Sequence, residues 1–202
     1  MRKRIRRLLQ ELYTADYDTQ NINEAFWDWF GGSVVRQPNG SPLPLTLYHG
    51  GTIRGTVFDL DRVEFGFHFG TMEQASKILD MDTKEEKYGF QYRPYSNIGY
   101  YFLKIEHPIK PRFDAGYWRD YQRWVDEGFL PRQFFIEDER GELSLPEGQR
   151  LEDLFLEQGH DGIIYPNAVE GEGDSYVVFE PTHIKSIMNR GTWNPNDPDI
   201  MR

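Results

Sequence analysis

Five histidines and no cysteine set the limits on the chemistry open to this 202-residue chain. Without a thiol there is no disulfide frame, no zinc-thiolate site and no cysteine nucleophile. The histidines, His49, His68, His107, His160 and His183, form no HExxH and no other metal-ligand spacing, so the pattern calls for no metal. Two of them sit in short glycine-bearing runs. In Tyr48-His49-Gly50-Gly51-Thr52 a histidine closes an apolar run before two glycines. Glycine there lets the backbone approach a planar ligand, its N–H and C=O can grip a carboxamide, and the imidazole can bond a neighbouring hydroxyl. A turn histidine beside a flexible Gly-Gly is the alternative reading. In the run Gly66 to Thr71 (GFHFGT), strand alternation puts Phe67 and Phe69 on one face and His68 on the other, away from the core. The alternative there is an edge-strand histidine in solvent.

A third stretch runs from Asp161 to Asn167 (DGIIYPN), through an acidic segment holding Glu170, Glu172 and Asp174, to Ser175–Pro181 (SYVVFEP) and His183–Ser186. It reads as two strands joined by an acidic loop; by itself it is equally a surface hairpin with a solvated tip. No GxGxxG follows a strand and there is no Walker lysine, which argues against Rossmann and P-loop nucleotide binding.

The elements that must position these residues follow from hydrophobic spacing. Ile5, Leu8, Leu9 and Leu12 predict a helix over 3–13. Asn21 and Glu24 have capping-box spacing ahead of a second helix, with Ala25, Phe26, Trp29 and Phe30 on one face and Gly31-Gly32 as its stop. The linker QPNGSPLP (37–44) then separates an N-terminal helical appendage, residues 1–36, from a main domain, residues 45–202. Within that domain strands are expected at 45–48, 66–70, 100–105, 162–165 and 176–179, and helices at about 71–80, 117–125 and 150–158. Residues 81–97 read as a long polar loop, mobile and near the cleft, with Tyr92 and Tyr95 as covers. The tail 189–202, rich in proline and asparagine, reads as extended. Short strands broken by short helices, without regular βαβ alternation, point to an α+β fold.

Composition bounds the class. The chain carries 23 basic and 33 acidic residues, a net charge of −10, and 15% aromatics, too aromatic for a disordered chain. Five of the basic residues lie in the first seven positions, so residues 8–202 hold 18 basic against 33 acidic, a net of −15. Such a body repels nucleic acid as a bulk partner and favours a protein one. No apolar run approaches the roughly 20 residues a membrane helix needs, and no signal-peptide apolar region follows the basic start. The expectation is a soluble, cytoplasmic protein with no membrane partner; the sequence sets no oligomeric state.

Taken in order, six segments resemble the ADP-ribosyltransferase superfamily: Trp29–Ser33, Tyr48–Thr52, Gly66–Thr71, Asp161–Asn167, Gly173–Ser186 and Gly191–Ile200. The resemblance is to its diphtheria-toxin/poly(ADP-ribose) polymerase side, and more closely to the ADP-ribosyltransferase domains of phage and prophage polyvalent proteins. It implies a split β-sheet core with short helices, and NAD as substrate. It implies roles as well. His49 matches the histidine that bonds the adenine-side ribose, and Gly50 the glycine that grips the nicotinamide carboxamide. His68 falls where the polymerases carry a tyrosine that stacks on nicotinamide, and Ser175, just before Tyr176, falls where they carry the catalytic glutamate. The catalytic expectation is therefore His49, His68 and Ser175, with Glu172 or Asp174 supplying charge from the acidic loop and Glu170 beside them. The NAD-binding expectation adds Tyr48, Gly50, Gly51, Thr52, Phe69, Thr71 and Tyr176. A serine is no carboxylate, so the resemblance implies a mono-ADP-ribosyltransferase acting on a macromolecular acceptor rather than a chain-forming polymerase. The alternatives are an NAD glycohydrolase, a degenerate NAD- or partner-binding module, and a phage structural accessory domain. If the chain is phage-encoded, its compartment is the host cytoplasm.

Overall fold

The apolar stripe Phe26, Trp29, Phe30 folds as the expected helix in the computed structural model, which describes residues 22–52, 55–87 and 96–202. In chain order the elements are α1 (Glu24–Phe30), β1 (Leu47–Thr52), β2 (Phe67–Phe69), α2 (Met72–Lys87), β3 (Ser96–Leu103), β4 (Pro108–Ile109), α3 (Tyr121–Asp126), β5 (Ile136–Glu137), β6 (Leu143–Ser144), α4 (Leu151–Glu157), β7 (Gly162–Pro166), β8 (Asp174–Val178) and β9 (Ile184–Ser186). The helix predicted over 3–13, the Asn21 cap and both Tyr92 and Tyr95 lie outside the described residues.

Helix α1 begins at Asn23, whose side chain accepts a hydrogen bond from the Phe26 N–H at 3.0 Å. The cap is thus two residues later than Asn21. Gly31 ends the helix at φ 52, a conformation that costs glycine little. Phe26, Trp29 and Phe30 are buried with Phe102, Ile187 and Trp193, and the Asn23 amide donates to the Gly191 carbonyl. Helix α1 and the segment around Ile187–Trp193 are therefore packed on each other over β3.

The sheet is split. One part has strand order β1-β3-β9, all antiparallel; the other has order β2-β8-β7-β4, with β4 parallel to β7 and the rest antiparallel. Among the described residues a single bridge joins them: Tyr48 and Gly70 exchange two backbone hydrogen bonds of 2.9 Å. Period-2 alternation places Phe67 and Phe69 in a core with Leu47, Tyr101, Leu103 and Val178. The opposite face of β8 and β7 buries Val177 and Ile163 against Trp124, Phe155 and Phe179. The α+β split-sheet expectation holds.

Several boundaries differ from the pattern. Helix α2 runs to Lys87 instead of stopping near 80, because Met81–Lys87 (MDTKEEK) is rich in good helix formers that continue the turn despite their polarity. Strand β3 starts at Ser96, so both ends of the expected 81–97 loop are regular structure. Helix α3 starts at Tyr121 rather than 117, because the Asp120 carboxylate caps the Arg123 N–H. The tail turns back instead of lying extended: buried Lys185 donates through Nζ to the carbonyls of Asp197 (2.6 Å) and Asp199 (3.0 Å), and the Ile200 N–H donates to the Thr56 carbonyl. Among the described residues no helix is long and apolar enough to cross a membrane.

Candidate active site

The bridge between the half-sheets brings the two singled-out histidines together. His49 lies inside β1, opposite Gly99, and its Nδ1 donates to the His68 carbonyl at 2.7 Å. His68, at the centre of β2, donates from Nε2 to the Phe65 carbonyl at 3.0 Å. A carbonyl only accepts, so these bonds fix both tautomers: His49 keeps Nε2, and His68 keeps Nδ1, as acceptors. Burial pushes both imidazoles down, and His68 to about 4, against the opposing pull of its bond to Phe65. Both rings are neutral at pH 7.

A cleft of about 170 Å³ opens beside them. Tyr48, His49 and Gly50 of β1 form one wall, and His68, Phe69 and Gly70 form the next. Helix α2 closes it with Gln74, Ala75 and Ile78, and Ser175 and Glu170 complete the mouth. This volume suits one planar ring rather than a whole dinucleotide. Glycine at 50 is required by packing: a Cβ there would run into the Ala75 carbonyl, so its absence lets α2 lie on β1. The Tyr48 N–H and C=O point away from β3 toward Gly70, and with period 2 those of Gly50 turn to the same edge, toward the cleft.

The start of α2 is a capping box that ties the acidic loop down. Thr71 Oγ1 accepts from the Gln74 N–H, and Gln74 Oε1 accepts from the Thr71 N–H at 2.7 Å. The buried Gln74 amide then donates to the carbonyls of Gly171 (3.4 Å) and Gly173 (3.3 Å). Lys77 Nζ donates to the Val169 carbonyl, and the Ala168 N–H donates to Asp114 Oδ2. Asn167 accepts from the Val169 and Glu170 N–H groups and donates to Glu170 Oε2 and Ser175 Oγ. The loop therefore curls instead of extending. Glu170 comes to the cleft, partly buried, with its carboxyl pushed up by burial and, in the opposite sense, held down by the Asn167 bond.

The residues singled out in the sequence fall into two groups. His49, Gly50, His68, Phe69, Tyr48 and Ser175 line the cleft. Glu172 and Asp174 are solvent-exposed and outside its wall, where Glu170 stands instead. Gly51 and Thr52 pair with Asn97 and Ser96 beyond the wall, Thr71 caps α2, and Tyr176 packs against the core on the face of β8 opposite Ser175. Sequence reasoning passed over Gln74 and Asn167. The signals for them are the Thr-x-x-Gln spacing from Thr71 and the Asn-x-x-Glu spacing from Asn167. Among the described residues no three His, Asp or Glu side chains converge as a metal site.

No curated protein and no solved structure matches the chain. A family model does, and its match over residues 38–194 takes in every residue of the cleft. The neutral histidine pair, the split sheet that joins it and this match have one reading: the chain belongs to the family described as ADP-ribosyltransferase in polyvalent proteins.

Proposed function

We propose that the cleft binds the nicotinamide end of NAD and that the protein transfers a single ADP-ribose to a macromolecular acceptor, a protein in preference to nucleic acid. The observation that carries this reading is the convergence of His49, Gly50, His68, Ser175 and one carboxylate, Glu170, on a cleft sized for one ring. The bond between the nicotinamide nitrogen and ribose C1′ breaks, with its electron pair going to the pyridinium ring. An acceptor nucleophile then bonds C1′ and loses its proton. Cleavage passes through an oxocarbenium-like cation, as in glycoside hydrolysis.

Each residue has a part in this scheme. The Gly50 N–H and C=O hold the carboxamide, and the neutral His68 ring lies against nicotinamide without adding charge. His49 Nε2 accepts from a ribose hydroxyl. Glu170, rather than Glu172 or Asp174, supplies the negative charge beside the developing cation; a preoriented group of this kind is worth about 10²–10³ in rate. Membership of the polyvalent-protein family supports a phage- or prophage-related role, as a modifier of the host cell.

Incubation with NAD labelled in its adenylate, in a host lysate, tests the reading. Protease-sensitive label on macromolecules is expected. Free nicotinamide with no transferred label would replace the transferase reading with a glycohydrolase, and intact NAD would leave a binding module.

A further inference from the structure

Asn167 is 8% exposed and fills all four hydrogen-bonding positions of its side chain. Its Oδ1 accepts from the Val169 N–H at 3.0 Å and the Glu170 N–H at 2.8 Å. Two backbone donors can be met only by the oxygen, so the amide has one orientation. Its Nδ2 then faces the cleft side, donating one hydrogen to Glu170 Oε2 and the other to Ser175 Oγ, both at 2.8 Å. Ser175 lies opposite Tyr165 in the β7–β8 ladder, with its side chain at the cleft.

We infer that Asn167 is the positioning residue of the site: one amide group holds the Glu170 carboxylate at the cleft and ties it to Ser175 beside it. The inference rests on the reading of Glu170 as the charge-supplying group. Two neighbours act on Glu170 besides Asn167: Asp114, ahead of the Ala115–Tyr117 turn, favours its neutral form, and Lys77 on α2 favours its charged form. Burial also favours the neutral form. The Asn167 donor is the nearest counterweight, and it keeps a carboxylate available in a half-dry cleft. The same amide couples the two groups, so a shift of the loop moves both together.

The substitution Asn167→Ser separates this role from a merely structural one. A serine hydroxyl accepts the turn N–H groups much as asparagine does, but no longer reaches Glu170 as a donor. Asn167→Asp keeps both turn bonds and sets a second carboxylate against Glu170. Two readouts are taken on the full chain: the Glu170 titration by carbon-13 NMR of carboxyl-labelled protein, and the acid limb of nicotinamide release from NAD. Both are expected to move upward in Asn167→Ser, and further, by about one pH unit or more, in Asn167→Asp. A Glu170 titration unmoved in both variants overturns the inference. Full nicotinamide release in Glu170→Gln overturns the catalytic reading of Glu170 and leaves the titration to decide Asn167 alone.

Discussion

Acid should loosen this fold through His68 before it protonates most carboxylates. The ring is held neutral by burial and its folded-state pKa is about 4, against 6.5 for an ordinary histidine. Between these values the unfolded chain binds a proton that the folded chain does not, so stability falls as pH drops below 6.5 and the loss is complete below about 4. For one such group the loss between pH 7.5 and pH 5 is about 2 kcal/mol. The perturbation is His68→Gln: its amide can still donate to the Phe65 carbonyl but cannot titrate. Urea unfolding of both proteins at the two pH values gives the answer. Carboxylates and His49, also shifted down, act in both proteins and cancel in the comparison. The wild type should lose about 2 kcal/mol more than His68→Gln on acidification. Equal losses would refute the claim that a buried neutral imidazole occupies this position.

Gly50→Ala drives a methyl into the Ala75 carbonyl; α2 must shift, stability should fall by about 1–3 kcal/mol in thermal unfolding, and nicotinamide release should be lost. Gln74→Ala strands the Thr71 N–H and the carbonyls of Gly171 and Gly173; a loss of about 1–3 kcal/mol is expected, with faster hydrogen exchange confined to residues 167–174 and the start of α2. In His49→Ala a ribose hydroxyl goes unpaired, so calorimetry should find NAD binding weaker by about 1–3 kcal/mol; unchanged affinity would remove NAD from this side of the cleft.

What the sequence made legible was local. Alternation in Phe67-His68-Phe69 put the two phenylalanines in the core and His68 on the other face, because a three-residue strand has only two faces to choose from. The acidic segment offered Glu172 or Asp174 as the source of charge on the approach to Ser175. Asn167 bends that approach with its own backbone bonds, and Gln74, 97 residues from Gly171 along the chain, holds the bend. Side-chain to backbone bonds of that range leave no periodicity to read. The polar stretch from Met81 misled for a related reason: a polar sequence can form a helix as readily as a loop. Lys185 is a further case of such long-range bonding: it is fully buried beneath the tail carbonyls it binds.

The central claim is that Glu170 supplies charge to NAD cleavage in the cleft of His49 and His68. Glu170→Gln keeps the size of the side chain and removes only its charge. Nicotinamide release by this variant and by the wild type, measured together with NAD affinity at pH 7.5, tests the claim most directly. The account predicts near-unchanged affinity with release slower by about 10²–10³. Release at the wild-type rate would contradict it.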